Sequence, residues 1–130
     1  MSVTAITTQQ TVLADDATTV QRFFDAWAAG DLSDLDALVD EHIVLGPLVA
    51  LLYERTLYHG LPGVADAFRE TAARWDRFQM SVEDAVPADG ALAVALRVGF
   101  EKHGMACEGL VTVMCTVRDG RIVAVLDSED

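Results

Sequence analysis

The chain has 130 residues, 52% of them hydrophobic, with 21 Asp and Glu against nine Lys and Arg for a net charge of -12. That length suits one domain whose core stands without staples, and the composition excludes disordered and fibrous classes. The acid excess also argues against nucleic acid and anionic membrane surfaces, both of which call for a basic face.

Residues Met1 to Ala14 are rich in Thr, Gln and small residues without helical period, and are expected to form an extended arm before a single domain over residues 15–130. Asp15 or Asp16 can cap the helix that follows, where Val20, Phe23, Phe24 and Trp27 recur at i, i+3, i+4 and i+7. Gly30 ends it. Ser33 opens a short second helix with Leu35, Leu38 and Val39 inward, and His42 to Leu45 form a strand stopped by Gly46-Pro47. The stretch LVALLYERTLY, Leu48 to Tyr58, suits a strand or an apolar loop; periodicity does not separate the two, and a strand is favoured. Gly60, Pro62 and Gly63 then punctuate the chain before a third helix, Val64 to Trp75, with Val64, Ala67, Phe68, Thr71 and Trp75 on its inner face.

Beyond Trp75 the period becomes two. Phe78 to Val86 and Ala91 to Glu101 read as strands joined through Pro87–Gly90, and Lys102 to Gly104 leads into a long hairpin from Met105 to Asp127. Asp119-Gly120 at its centre is a strong two-residue turn signal. Helices first and a meander of antiparallel strands last give an α+β order. A curved sheet wrapped over the helices encloses a conical pocket suited to a small ligand.

Cys107 and Cys115 share one proposed strand, too far apart for a disulfide, so both are expected as free thiols in a reducing compartment. No run of residues has the length of a membrane span, and the N-terminus lacks the basic start and apolar run of a signal peptide, so a cytoplasmic protein is expected. His42, His59 and His103 show no metal-ligand spacing. No phosphate-cradling glycine loop and no nucleophile elbow occur. Neither metal nor cofactor is expected.

Four strings in order, VQRFFDAWAAGDLSDLDALV (Val20 to Val39), YHGLPGVADAF (Tyr58 to Phe68), GFEKHG (Gly99 to Gly104) and VRDGRIVAVLD (Val117 to Asp127), resemble the nuclear transport factor two-like superfamily, and within it the SnoaL-like polyketide cyclases and ketosteroid isomerases. The resemblance implies an α+β cone with an internal pocket and a homodimer formed through the outer face of the sheet. It also implies a residue-by-residue test. Ketosteroid isomerases, a worked case of pKa tuning, need a tyrosine, an aspartate base and a protonated aspartic acid, and the matching positions here hold Phe23, Gly46 and Val113. That reaction is therefore excluded. Limonene epoxide hydrolases use an Asp-Arg-Asp constellation, of which Asp127 matches the last member. Arg97 serves as the central arginine only in a register shifted by one residue. SnoaL-like cyclases carry an aspartate at the end of the last strand, and IVAVLD puts Asp127 there, with Val125 and Leu126 replacing the usual histidine and tryptophan.

Asp127 is accordingly the candidate acid/base. An apolar lining raises the pKa of such a carboxylate and lets it exchange protons with a substrate near neutral pH. The alternative is an Asp127 that merely ends a solvated C-terminus. Alternation puts Leu92, Val94, Leu96, Val98 and Phe100 on one strand face and Cys107, Gly109, Val111, Val113 and Cys115 on one face of the next; these faces are expected to line the cone, with Leu96, Val98, Phe100, Val111, Val113 and Cys115 as substrate contacts. From the helical side Phe23, Trp27, Phe68 and Trp75 face the same space, with core packing the competing role for the tryptophans. Tyr53 and Tyr58 lie around the expected mouth, and the Leu48 to Tyr58 stretch suits an extra wall or lid.

Two functions follow. One is a cofactor-independent enzyme acting on a hydrophobic polycyclic or polyketide-derived substrate by cyclisation, isomerisation or epoxide opening. The other is a non-catalytic member of the same fold that binds an apolar ligand or a protein.

Overall fold

The structure, a computed structural model, describes residues 3–46 and 57–127, with side chains from Asp15 onward. Helices α1 (Val3–Ala29), α2 (Leu35–Leu38) and α3 (Gly60–Arg74) accompany strands β1 (Val39–Leu45), β2 (Tyr58–His59), β3 (Arg77–Ala88), β4 (Ala91–Lys102), β5 (Met105–Arg118) and β6 (Arg121–Asp127). The strands form one mixed sheet in the order β2-β1-β6-β5-β4-β3, parallel between β1 and β6 and antiparallel elsewhere. The architecture is the expected α+β one.

The meander from β3 to β6 rests on three tight turns, Asp89-Gly90, His103-Gly104 and Asp119-Gly120, each with positive φ at both residues. That is the geometry whose twist suits two adjoining antiparallel strands, and it explains why Asp119-Gly120 signals a turn in the sequence. Register shifts interrupt the ladders between Val82 and Asp84 and between Thr116 and Val117. Such bulges bend a strand and increase its twist, so the long sheet curls over the helices instead of lying flat.

The concave face and the helices share one core. Val20, Phe23, Phe24 and Trp27 of α1, all within 2% exposure, pack with Ile43 and Leu45 of β1, Phe68 of α3 and Val94 and Leu96 of β4. Trp27 donates its indole N–H to Thr71 Oγ1 at 3.0 Å, and Thr71 donates its hydroxyl to the Ala67 carbonyl at 2.8 Å, which ties α1 to α3 with buried polar groups satisfied. Gly63 permits the start of α3 to sit on β2, because a Cβ there would stand 3.0 Å from the Tyr58 carbonyl carbon.

Several sequence expectations shift. The extended arm over Met1 to Ala14 is corrected, since α1 already begins at Val3. No glycine or proline interrupts residues 3–29, so the helix continues through the Thr and Gln stretch. Asp15 and Asp16 therefore lie inside α1 rather than capping it. Helix α3 begins at Gly60, four residues before the expected start, with Pro62 in its first turn, where no N–H is needed. Strand β1 begins at Val39 rather than His42. Of the Leu48 to Tyr58 stretch, residues 48–56 lie outside the described residues, while Tyr58 belongs to β2 and pairs with Leu45. No helix among the described residues is long and apolar enough to cross a membrane.

Candidate active site

Directly paired residues leave an antiparallel sheet on the same face. Leu92, Val94, Leu96 and Val98 of β4 are buried against the helices, and their partners on β5 are Cys115, Val113, Val111 and Gly109. These rows define the concave face. Val113 in turn pairs with Asp127, which follows the buried Val125 by two residues, so the final carboxylate belongs to the concave face. Beside it, Gly46 donates its N–H to the Val125 carbonyl at 2.7 Å and brings the end of β1 against β6.

Partial burial pushes the Asp127 carboxyl above the usual carboxylate range, although the residue keeps substantial exposure at the open end of the face. Its carboxylate has no hydrogen-bond partner among the described residues. An acid so placed is reachable by ligand and holds its proton to higher pH than a solvated aspartate does.

The structure sorts the other expected lining residues into two groups. Phe23, Trp27 and Phe68 are packed against one another, with Trp27 and Phe68 stacked at 5.4 Å and Phe23 at 5.9 Å from each. Tyr58 is 1% exposed and donates its hydroxyl to Glu70 Oε1. Leu96, Val98, Val113 and Cys115 are likewise buried, and burial pushes the Cys115 thiol up to about 12. The second group is open. Val111 is half-buried, and Trp75 lies against Phe100 at 4.4 Å with both rings half-buried. Tyr53 lies outside the described residues.

The helical half of the hollow is thus filled by the protein's own rings, while the β5 side remains accessible from Asp127 past Val111 towards Trp75 and Phe100. Two residues of this strip, Gly109 and Cys107, share the face that alternation assigns to Val111 and Val113 but were not among the expected substrate contacts. The signal was present: a glycine inside a strand marks a bulge or a close approach of another molecule. Described depressions of about 240 Å³ around Gly99, lined also by Phe100 and Cys107, and about 300 Å³ between Asp16 and the β3–β4 turn do not include Asp127.

Other chemistries are constrained by the same register. Arg97 lies on the convex face, paired with Leu110, and its guanidinium meets Glu83 at 3.3 Å and Glu108 at 3.4 Å. It therefore does not join Asp127 in an Asp-Arg-Asp constellation. Phe23 and Val113 are fully buried apolar residues and Gly46 offers no side chain, so the three ketosteroid isomerase positions supply no acid or base. Among the described residues no group of three His, Cys, Asp or Glu is placed to hold a metal ion.

Residues 20–125 match the family described as the SnoaL-like domain. Similar solved structures include IdmH, a putative polyketide cyclase from Streptomyces antibioticus, with a TM-score of 0.70 and 22% identity over 85% of this chain and 88% of that one. TerC, co-crystallised with polyporic acid, gives a TM-score of 0.75 at 10% identity, covering 89% of this chain and 92% of that one. An epoxide hydrolase of M. tuberculosis, described as LEH-like, gives 0.70 at 18% identity, with 91% and 84% covered. These likenesses establish the fold. No curated protein matches the sequence.

Proposed function

The chain belongs to the SnoaL-like domain family, and on that premise we propose that it is a small enzyme that needs no cofactor and acts on an uncharged hydrophobic substrate, polycyclic or polyketide-derived. The reaction is cyclisation, isomerisation or epoxide opening, with Asp127 as the acid/base. The observation that carries this reading is the place of Asp127, on the concave face and held above the normal carboxylate range by partial burial. Structural neighbours described as a putative polyketide cyclase and an epoxide hydrolase support the same range of chemistry.

In a cyclisation the Asp127 carboxylate takes a proton from carbon adjacent to a carbonyl, and the released electron pair forms an enolate. The enolate carbon bonds to a second carbonyl of the same molecule, and the resulting alkoxide recovers the proton from Asp127. The apolar face holds a flexible chain folded for that contact, which lowers the entropic part of the barrier.

The test is turnover by wild type and Asp127→Asn on a panel of linear polyketones and epoxides, read by chromatography. The variant should fold normally and lose at least a hundredfold in rate. Equal turnover by both removes Asp127 from the mechanism. A second reading, a ligand-binding or protein-interaction member of the fold, is favoured by the rings that fill the helical half and by the lone carboxylate. Retained ligand binding without turnover in either protein selects it.

The reading includes a soluble cytoplasmic homodimer joined through the convex face. There Ala93, Ala95, Thr112 and Met114 present small or apolar side chains, and Leu110 and Leu126 are 60% and 43% exposed. Light scattering that finds a monomer, or an unchanged dimer in Leu110→Glu, rejects this interface.

A further inference from the structure

We propose that Gly109 is a specificity-determining residue, the floor of a notch that seats the apolar end of an elongated, uncharged substrate whose polar end reaches Asp127. The inference rests on the concave face being the ligand surface and adds to it the length and polarity of the ligand.

Gly109 pairs with Val98, which is 3% exposed and faces the helices, so a side chain at 109 would point to the same face. No described atom lies within 4 Å of a Cβ built there. The contrast is Gly99 on the other face, where the same construction meets Glu108 Oε2 at 3.8 Å and Gln79 Oε1 at 3.9 Å. Along the concave side of β5, Val113 is buried and Val111 half-buried, whereas Gly109 and Cys107 are open. Cover from the helices thus runs out at the position where the side chain is also missing.

The notch has defined ends. On one side Phe100, the partner of Cys107, is backed by Trp75 with ring centroids 4.4 Å apart. On the other, Val111 leads to Val113 and its partner Asp127. Four residue-to-residue steps of strand take the chain from Gly109 to Val113, a distance of about 14 Å. A ligand touching both the carboxylate and the notch is therefore several fused rings long, or an equivalent folded chain.

Charge selects against anions. At the Asp127 end no described cation shares the face, since Arg97 is on the opposite face with Glu83 and Glu108; Lys102, on the face of Phe100, stands at the far end beyond the notch, and the chain carries a net charge of -12. A ligand whose carboxylate or phosphate lies at the Asp127 end would meet that carboxylate with no described cation beside it. An uncharged molecule with a carbonyl or hydroxyl at one end fits the strip.

The backbone at Gly109 is not in the left-handed region, so a larger residue fits without strain, and valine favours a strand. Gly109→Val should therefore melt at or above the wild-type temperature and yet bind long ligands poorly. Two probes separate the outcomes, acetophenone at the Asp127 end and 2-acetylanthracene for the whole strip, each followed by its effect on tryptophan emission. Gly109→Val should weaken 2-acetylanthracene at least tenfold and acetophenone less than twofold, with Gly109→Ala intermediate and Gly99→Ala, on the convex face, unchanged. Equal weakening of both probes, no weakening, or a wild type that binds no 2-acetylanthracene overturns the proposal. Asp127→Asn distinguishes the two readings: if it spares turnover while Gly109→Val still discriminates by length, the catalytic assignment fails and the notch stands.

Discussion

Phe68→Ala is the sharpest probe of whether the rings of the helical half are core or ligand contacts. Phe68 is 2% exposed, stacked on Trp27 at 5.4 Å and close to Phe23 at 5.9 Å. Truncation removes the whole phenyl ring from a packed interior, and a buried phenylalanine lost in this way costs about 4 kcal/mol in transfer and cavity terms. Against a total stability of roughly 5–15 kcal/mol for a domain, this is a large fraction. At the entropy of unfolding usual for a chain of this size, it lowers the melting temperature by about 15 °C. Urea unfolding read by circular dichroism gives the free energy, with an unchanged slope showing that the transition remains cooperative. The vacated site is apolar and of benzene size, so saturating benzene should recover part of the loss. A cost below about 1 kcal/mol refutes the packing argument, because no tightly surrounded ring is lost so cheaply. A ligand-binding defect at full stability would refute it also, and would return Phe68 to the site.

Two further outcomes follow from the titrating groups. Cys107 is exposed and Cys115 is buried with its thiol pushed up to about 12, so Ellman's reagent at pH 8 should label one thiol rapidly in the native protein and two in denaturant. Rapid labelling of both in the native state contradicts the packing of β5 on the core. For Asp127 the folded state holds the proton more tightly than the unfolded state. Its contribution to stability is therefore full below the unfolded pKa and is lost as pH rises through the folded one. Asp127→Asn removes that loss, so from pH 3 to 7 its urea midpoint should rise relative to wild type. A relative fall would reveal a favourable partner for the carboxylate.

Much of the fold was legible because it is written in local patterns. The spacing of Val20, Phe23, Phe24 and Trp27 demands a buried stripe, and Asp119-Gly120 permits one tight turn with positive φ at both residues, so α1 and the last hairpin were recognisable in order. Alternation along β4 and β5 likewise sorted Leu96, Val98, Val111 and Val113 onto one face. The start of α1 was misread, because Thr- and Gln-rich residues carry no apolar stripe from which to read a helix. Only tertiary structure separated the filled half of the hollow from the open one. Phe68 and Trp75 have similar helical spacing, yet Phe68 meets Trp27 and Phe23 across two helices while Trp75, at the end of α3, meets Phe100 at the edge of the core. Arg97 is the clearest case. Sequence left its face open to a one-residue shift, and the β4–β5 register, set by which residues the helices bury, turned it away from Asp127; alternation had put Gly109 on the lining face, and only the packing shows that position left open.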